Sequence, residues 1–168
     1  MHISVNLSSK QIKQFDFVEK LAKILDRTGL SGKNLKLELT ETMLMDRGEK
    51  TIELLSQIKG QNVQLSIDDF GTGYSSLSYL HRFPIDALKI DRSFVSPIDA
   101  EGQNCEIVKT IITLAHALGI KAIAEGVETS HQLAVLKNLG CDEAQGYFFA
   151  KPINSDLAEA ILTKNSQW

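Results

Sequence analysis

The sequence predicts a parallel α/β sheet bent toward a (β/α) barrel, and three observations carry that prediction. Strand-like and helix-like segments alternate six times, at intervals of roughly 25 to 35 residues, the length of a βαβ unit. No linker, low-complexity tract or charge run interrupts them. Polar residues stand late on nearly every strand: Asn6, Glu38, Asp68, Asp69, Lys89, Asp91, Glu125 and Gln145. A barrel brings all its strand C-termini to one face, whereas an open doubly wound sheet gathers only those near its switch point. Six units are two short of the closed eight, and 168 residues fall below the ~250 typical of that fold. The expectation is therefore a partial TIM-type barrel of about six strand–helix units, a single domain over residues 1–168.

Each element has its own signal. Ile3 to Leu7 alternates apolar and polar residues and ends at Ser8 as a strand entering a turn. Phe15, Val18, Leu21, Ala22 and Leu25 fall at helical spacing, and Gly29 ends that helix. Leu35 to Leu39 is the second strand, followed by a helix carrying Ile52, Leu55 and Ile58 and stopped at Gly60. Val63 to Ile67 is the third, running into Asp68-Asp69 and a Gly71-Thr72-Gly73 loop, with a short helix expected over Ser75 to Leu80. Ala87 to Ile90 is the fourth strand, and the most apolar helix follows, with Val108, Ile111, Ile112, Ala115 and Leu118 facing inward. Ile120 to Ala124 is the fifth. Thr129 and Gln132 form a capping box for the next helix, which stops at Gly140. Glu143 to Phe149 is the sixth strand, and Asn154 or Ser155 caps a terminal helix.

Composition narrows the function classes. Hydrophobic residues at 43% and charged ones at 23% are ordinary for a globular domain. A net charge of -3 gives no basic field for a nucleic acid polymer, so an anionic ligand would need metal ions or local cations. Cys105 and Cys141 are too few and too far apart for a disulfide framework or a zinc site, which favours a reducing, cytoplasmic compartment. No apolar run approaches the ~20 residues of a membrane span, and residues 1–6 read as a strand rather than a signal peptide.

Asp68 and Asp69 stand side by side at a strand end. Successive side chains on a strand alternate faces, so the second carboxylate must sit where the strand stops being regular. Neighbouring negative charges raise each other's pKa unless a cation lies between them. An Asp-Asp helix cap or turn is the simpler reading of the pair alone. With Asn6, Glu38 and Glu125 the set becomes a group of hard oxygen donors, suited to Mg²⁺ or Mn²⁺. Four carboxylates exceed the needs of one octahedral ion. Two ions bridged by Asp68 would use them all, an arrangement suited to attack of hydroxide on a phosphoester. Lys89 would be the cation facing the cluster, with a snorkelling strand-end lysine and a Schiff-base nucleophile as the other readings.

Six ordered motifs then carry a resemblance. Asn6-Leu7-Ser8, Glu38-Leu39-Thr40-Glu41, Asp68 to Leu77 (DDFGTGYSSL), Leu88-Lys89-Ile90-Asp91, Ala124 to Thr129 (AEGVET) and Gln145-Gly146-Tyr147 occur in that order. Together they resemble the EAL-domain family, the metal-dependent phosphodiesterases that linearise cyclic di-GMP, over Val5 to about Pro152. The resemblance implies that Asn6, Glu38, Asp68, Asp69 and Glu125 are metal ligands, with two Mg²⁺ or Mn²⁺ ions in the complete domain. It implies that Lys89 and Glu125 orient or deprotonate the attacking water. Asp91, Glu128 and Gln145 would support them from behind or touch substrate. Glu41 would anchor the Asp69–Leu80 loop, which couples metal binding to dimerisation in the family. The implied partners are cyclic di-GMP, a second copy of the chain, and regulatory or sensor domains of a longer parent.

One motif is not among these residues. The Glu-Ala-Leu segment that names the family belongs on an earlier strand, and Glu159-Ala160-Ile161 lies in the terminal helix instead. The chain thus reads as the C-terminal six units of an eight-unit barrel, with impaired hydrolysis expected. A cyclic di-GMP receptor without activity and a dimerising regulatory module are the alternatives. His2, His81, His116 and His131 have no partner at metal spacing, and both cysteines read as small apolar fillers. Gly71-Thr72-Gly73 lacks the Gly-Lys-Ser/Thr that would make it a P-loop.

Overall fold

The computed structural model of the chain describes residues 2–45, 49–73, 80–98 and 104–163. Six strands, β1 (Ile3–Asn6), β2 (Leu35–Thr40), β3 (Gln64–Phe70), β4 (Ala87–Ile90), β5 (Lys121–Ala124) and β6 (Glu143–Ala144), form one sheet. Every neighbouring pair is parallel, and the order in space is the order in sequence. A doubly wound sheet reverses direction at its switch point, and this one never does. The sheet also curls. Lys36 of β2 reaches Glu143 of β6 at 3.4 Å, although a flat sheet would hold strands four places apart at roughly 19 Å. The partial barrel expected from the sequence is therefore the fold.

The curl sorts each strand by alternation. Leu35, Leu37 and Leu39 on β2, Leu65 and Ile67 on β3, and Leu88 and Ile90 on β4 join the hydrophobic core. Each such burial is worth about 1.5–3 kcal/mol relative to exposure. The alternate positions, Lys36, Glu38, Ser66, Asp68 and Lys89, fall on the concave side, and the long ones meet across it. This explains why β2 is buried throughout yet carries a lysine and a glutamate.

The helices are α1 (Ser9–Ile12), α2 (Phe17–Thr28), α3 (Glu41–Met45), α4 (Glu49–Lys59), α5 (Arg92–Val95), α6 (Glu106–Ala117), α7 (Ser130–Asn138) and α8 (Ser155–Thr163). The capping box at Thr129 and Gln132 is formed, and Gly29 ends α2 in the left-handed conformation at φ 67°. Asn154, not Ser155, caps α8 by accepting from the Leu157 N–H at 3.0 Å. Val108, Ile111, Ile112 and Ala115 form the buried face of α6.

Three local readings differ. Phe15 precedes α2 and is fully exposed, because the helix begins only after Asp16. β6 stops at Ala144, where a strand to Phe149 is expected. Gly146 (φ 156°) starts a turn closed by Phe149 N–H to Gly146 O, and the Phe148 N–H goes to Val127 O instead of a strand neighbour. Short α1, α3 and α5 carry too few residues to show a helical period. The helix expected over Ser75 to Leu80 lies, but for Leu80, outside the described residues. Among the described residues no helix is long and apolar enough to cross a membrane.

Candidate functional site

The C-terminal ends of β2 to β5 converge on Lys89. Its ammonium lies 2.7 Å from Glu38 Oε2, 2.7 Å from Asp68 Oδ1 and 2.5 Å from Glu125 Oε1. An ammonium has three N–H donors, and here each finds a carboxylate from a different strand. Lys89 is 3% exposed. Burial works against its charge, but the hydrogen bonds it donates to Asp68, Glu125 and Glu38 outweigh that and hold its pKa above the usual value. A Schiff-base lysine must shed its proton, so this environment argues against one.

Asp69 joins the group through a backbone irregularity. In regular pleat it would face away from Asp68. The β3–β4 register shifts between Ile67 and Phe70, and Asp69 adopts φ 52°. Aspartate tolerates that left-handed conformation better than most residues. Carboxylate oxygens of Asp68, Asp69 and Glu125 consequently lie within 4.8 Å of one another. The adjacent pair is thus a bulge that aims two acids at one place, as the end of a regular strand requires.

These acids are uncomfortable together. Burial raises the Glu125 pKa to about 7, with Asp68 adding to the rise and Lys89 opposing it. Asp69 is also raised, by burial and then by Asp68 and Asp91. Asp91 goes down despite its burial. Its carboxylate accepts from the Ser93 N–H at 2.9 Å, capping α5, and is hydrogen-bonded to Asp69. Four carboxylates, Glu38, Asp68, Asp69 and Glu125, face one lysine. All the donors are hard oxygens crowded beyond what one cation neutralises, and this fits Mg²⁺ or Mn²⁺.

The remaining predicted residues take graded positions. Asn6 stands beside Glu38 in the β1–β2 register, with the Leu7 N–H donating to Glu38 O at 2.9 Å. Gln145 Nε2 donates to Glu125 Oε1 at 3.0 Å. Glu41 is buried and accepts from the Gly71 N–H at 3.1 Å, and its Oε1 would lie 2.9 Å from a Cβ placed on Gly73. It therefore grips the start of the loop it was expected to anchor; residues 74–79 of that loop lie outside the described residues. Glu128 stands apart from the carboxylate group, accepting from Arg92 Nη2 at 2.7 Å.

Sequence reasoning missed Arg92. Its aliphatic stem crosses Gly126, where a Cβ would come within 2.3 Å of Arg92 Cγ, and Gly126 has φ 69°. A cation directly after Asp91 was the available signal. The Lys36–Glu143–Lys121 group inside the opposite end of the sheet was also missed. The Lys36-Leu37-Glu38 spacing, which puts both charges on one face, was the clue there.

Fold and site together define a partial (β/α)-barrel protein with a cluster of oxygen donors at its strand C-termini. The chain belongs to the EAL domain family, whose pattern its residues 1–152 match. It is 44% identical over 162 residues to the cyclic di-GMP phosphodiesterase NbdA of Pseudomonas aeruginosa, covering 96% of this chain and 21% of that protein. It superposes on the EAL domain of Mycobacterium smegmatis DcpA with a TM-score of 0.93 at 39% identity, covering 100% of this chain and 75% of that one. Against Klebsiella pneumoniae BlrP1, in a manganese and cyclic di-GMP complex, the TM-score is 0.80 at 32% identity, covering 90% of this chain and 39% of that one. The chain spans about a fifth of the length of the curated relatives it matches.

Proposed function

We propose that this chain is the metal-binding and substrate-binding part of an EAL-type phosphodiesterase domain that opens cyclic di-GMP to the linear dinucleotide. One observation carries the reading: Asp68, Asp69 and Glu125 converge within 4.8 Å beside the buried Lys89–Glu38 pair. Asn6, Glu38, Asp68, Asp69 and Glu125 would hold two Mg²⁺ or Mn²⁺ ions. When bound, such ions supply charge that acidifies a water and balances the phosphodiester.

The chain's own groups do the rest. Glu125, with a pKa raised to about 7, is placed to accept a proton; Lys89 and Gln145 both donate to its Oε1, which leaves Oε2 to take it. Lys89 stays charged; with its three N–H groups held by Glu38, Asp68 and Glu125, it would orient the water or a phosphate oxygen through its charge and through the carboxylates it positions. Asp91 supports Asp69 from behind, Glu128 faces the nucleotide, and Glu41 fixes the loop that begins at Gly71. On this reading the domain works in the cytoplasm, as a homodimer, joined to regulatory or sensor domains. The relatives, about five times as long, support the last point.

The test is conversion of cyclic di-GMP to its linear dinucleotide with Mg²⁺ or Mn²⁺, with Glu125→Ala as the blank. Residues 1–168 alone are expected to bind weakly and cleave little, because the Glu of the Glu-Ala-Leu segment lies outside them. A longer polypeptide carrying that segment is expected to turn over at about 1 s⁻¹ or more. Such turnover by residues 1–168, abolished in Glu125→Ala, would show that extra Glu to be dispensable. Absence of turnover in the longer polypeptide, with binding retained, would instead favour a receptor.

A further inference from the structure

The turn that brings Asp69 to the carboxylate group has two residues on the left-handed side of φ, Asp69 at 52° and Gly71 at 98°. An aspartate keeps such a conformation only where its surroundings impose it, and a glycine is the residue freest to leave it. Two of the restraints are hydrogen-bonded. Asp69 O accepts from the Thr72 N–H at 3.3 Å and from Thr72 Oγ1 at 2.8 Å, and the Gly71 N–H goes to Glu41 Oε2 at 3.1 Å. The third restraint is an aromatic ring. A Cβ placed on Gly71 would lie 2.8 Å from Phe94 Cε2 and 3.3 Å from its Cζ, with Ile111 Cδ1 behind at 3.5 Å. The ring edge fills the space that a side chain would need, and it blocks the glycine backbone on that side.

Phe94 is held there by a short helix that also touches Asp69. The Asp91 carboxylate opens α5 by accepting from the Ser93 N–H at 2.9 Å, and it is hydrogen-bonded to Asp69. Phe94 follows three residues later, on the same helical face. Val95 is fully buried, and Gln132 of α7 donates to its carbonyl at 3.4 Å, which roots the helix. One helical turn thus grips the bulge at two points, Asp69 through Asp91 and Gly71 through Phe94. We propose that Phe94 is a positioning residue for the cation site: its ring edge, set against Gly71, keeps the bulge in the shape that turns Asp69 toward Asp68 and Glu125. The inference deepens the proposed function and rests on it. A phenyl ring offers no oxygen to a cation, so its contribution is geometric.

The experiment compares wild type with Phe94→Ala, Phe94→Leu and Phe94→Met. A leucine side chain ends one atom short of the ring's ε position, whereas methionine reaches it. Mn²⁺ affinity is measured by calorimetry, exchange of the Gly71 amide by NMR in EDTA, and stability by urea unfolding. The alanine and leucine variants are expected to bind Mn²⁺ about tenfold more weakly. Their Gly71 amide should exchange about tenfold faster. The methionine variant should stay within about twofold of wild type in both measurements. Leucine should still restore more stability than alanine, so that affinity and stability diverge. The leucine–methionine comparison stands even where the alanine variant fails to fold. Mn²⁺ affinity that merely follows stability across the variants, or that leucine restores in full, reduces Phe94 to core packing and overturns the proposal. A wild-type chain that binds no Mn²⁺ overturns the proposed function, and Gly71 exchange then decides the clamp by itself. Fast exchange with leucine and slow exchange with methionine upholds it; the same exchange in both overturns it.

Discussion

The two ends of the concave face are built from the same strands with opposite charge logic. At the N-terminal end, Lys36 and Lys121 share Glu143, at 3.4 and 2.7 Å, and the cations outnumber the acid. At the C-terminal end, three carboxylates, Glu38, Asp68 and Glu125, share Lys89, and a fourth, Asp69, stands beside Asp68 and Glu125. Residues only two apart on β2, Lys36 and Glu38, belong to the two different groups. The lower group ties β2 to β6 and is satisfied as it stands. The upper group carries more negative charge than Lys89 balances, and a proton on Glu125 or an added cation would relieve it. Barrels commonly divide stability and chemistry between their two faces in this way. Here the division is legible as a ratio of acids to lysines.

Removing the upper counter-ion should have the largest effect. Lys89→Met leaves Glu38, Asp68 and Glu125 facing one another without a cation, and Lys89 is almost wholly buried. Breaking a buried pair in this way costs about 3–5 kcal/mol. Urea unfolding in EDTA should show that loss, with part of it restored by Mn²⁺. A loss below about 1 kcal/mol would mean that the carboxylates do not depend on Lys89 and would dissolve the contrast.

A smaller effect tests the surplus of acid directly. Asp69→Asn keeps a residue that tolerates the left-handed backbone while removing one crowded charge. In EDTA the variant should be at least as stable as wild type. Wild type at a hundredfold excess of Mn²⁺ over its Kd should gain about 2.7 kcal/mol, and the variant should lose most of that gain. Equal Mn²⁺ stabilisation in both proteins would remove Asp69 from the proposed ligand set.

Much of this was open to reading from the letters. Alternating units predicted the sheet, and polar residues late on strands predicted which end would gather the carboxylates. Asp68-Asp69 announced an irregularity because regular pleat cannot aim both inward. What escaped was decided by tertiary context. Lys36 and Lys121 look like ordinary surface lysines until curling brings β6 opposite β2. Arg92 gains its position only through the bare backbone of Gly126. The length of β6 is set by Gly146 and by Val127 on another turn, and neither is visible in local alternation.

The lower group should yield the smallest effect, and its pH dependence shows whether it is only structural. Burial pushes the Glu143 carboxyl upward, but Lys121 and Lys36 outweigh that and hold it below the usual 4.5. The folded chain therefore binds this proton less readily than the unfolded one. The stabilisation is full above about pH 4.5 and fades as pH falls through the lower folded value. Glu143 and Lys121 are well exposed, so solvent screens the pair and Glu143→Gln should cost only about 1 kcal/mol at pH 7. The gap between wild type and variant, followed by urea unfolding, should close as the pH drops below 4.5. Mn²⁺ affinity should be the same in both proteins throughout. A Glu143→Gln chain that bound Mn²⁺ appreciably more weakly would show that the two ends of the sheet are coupled, and that the lysine-rich end helps to shape the acidic one.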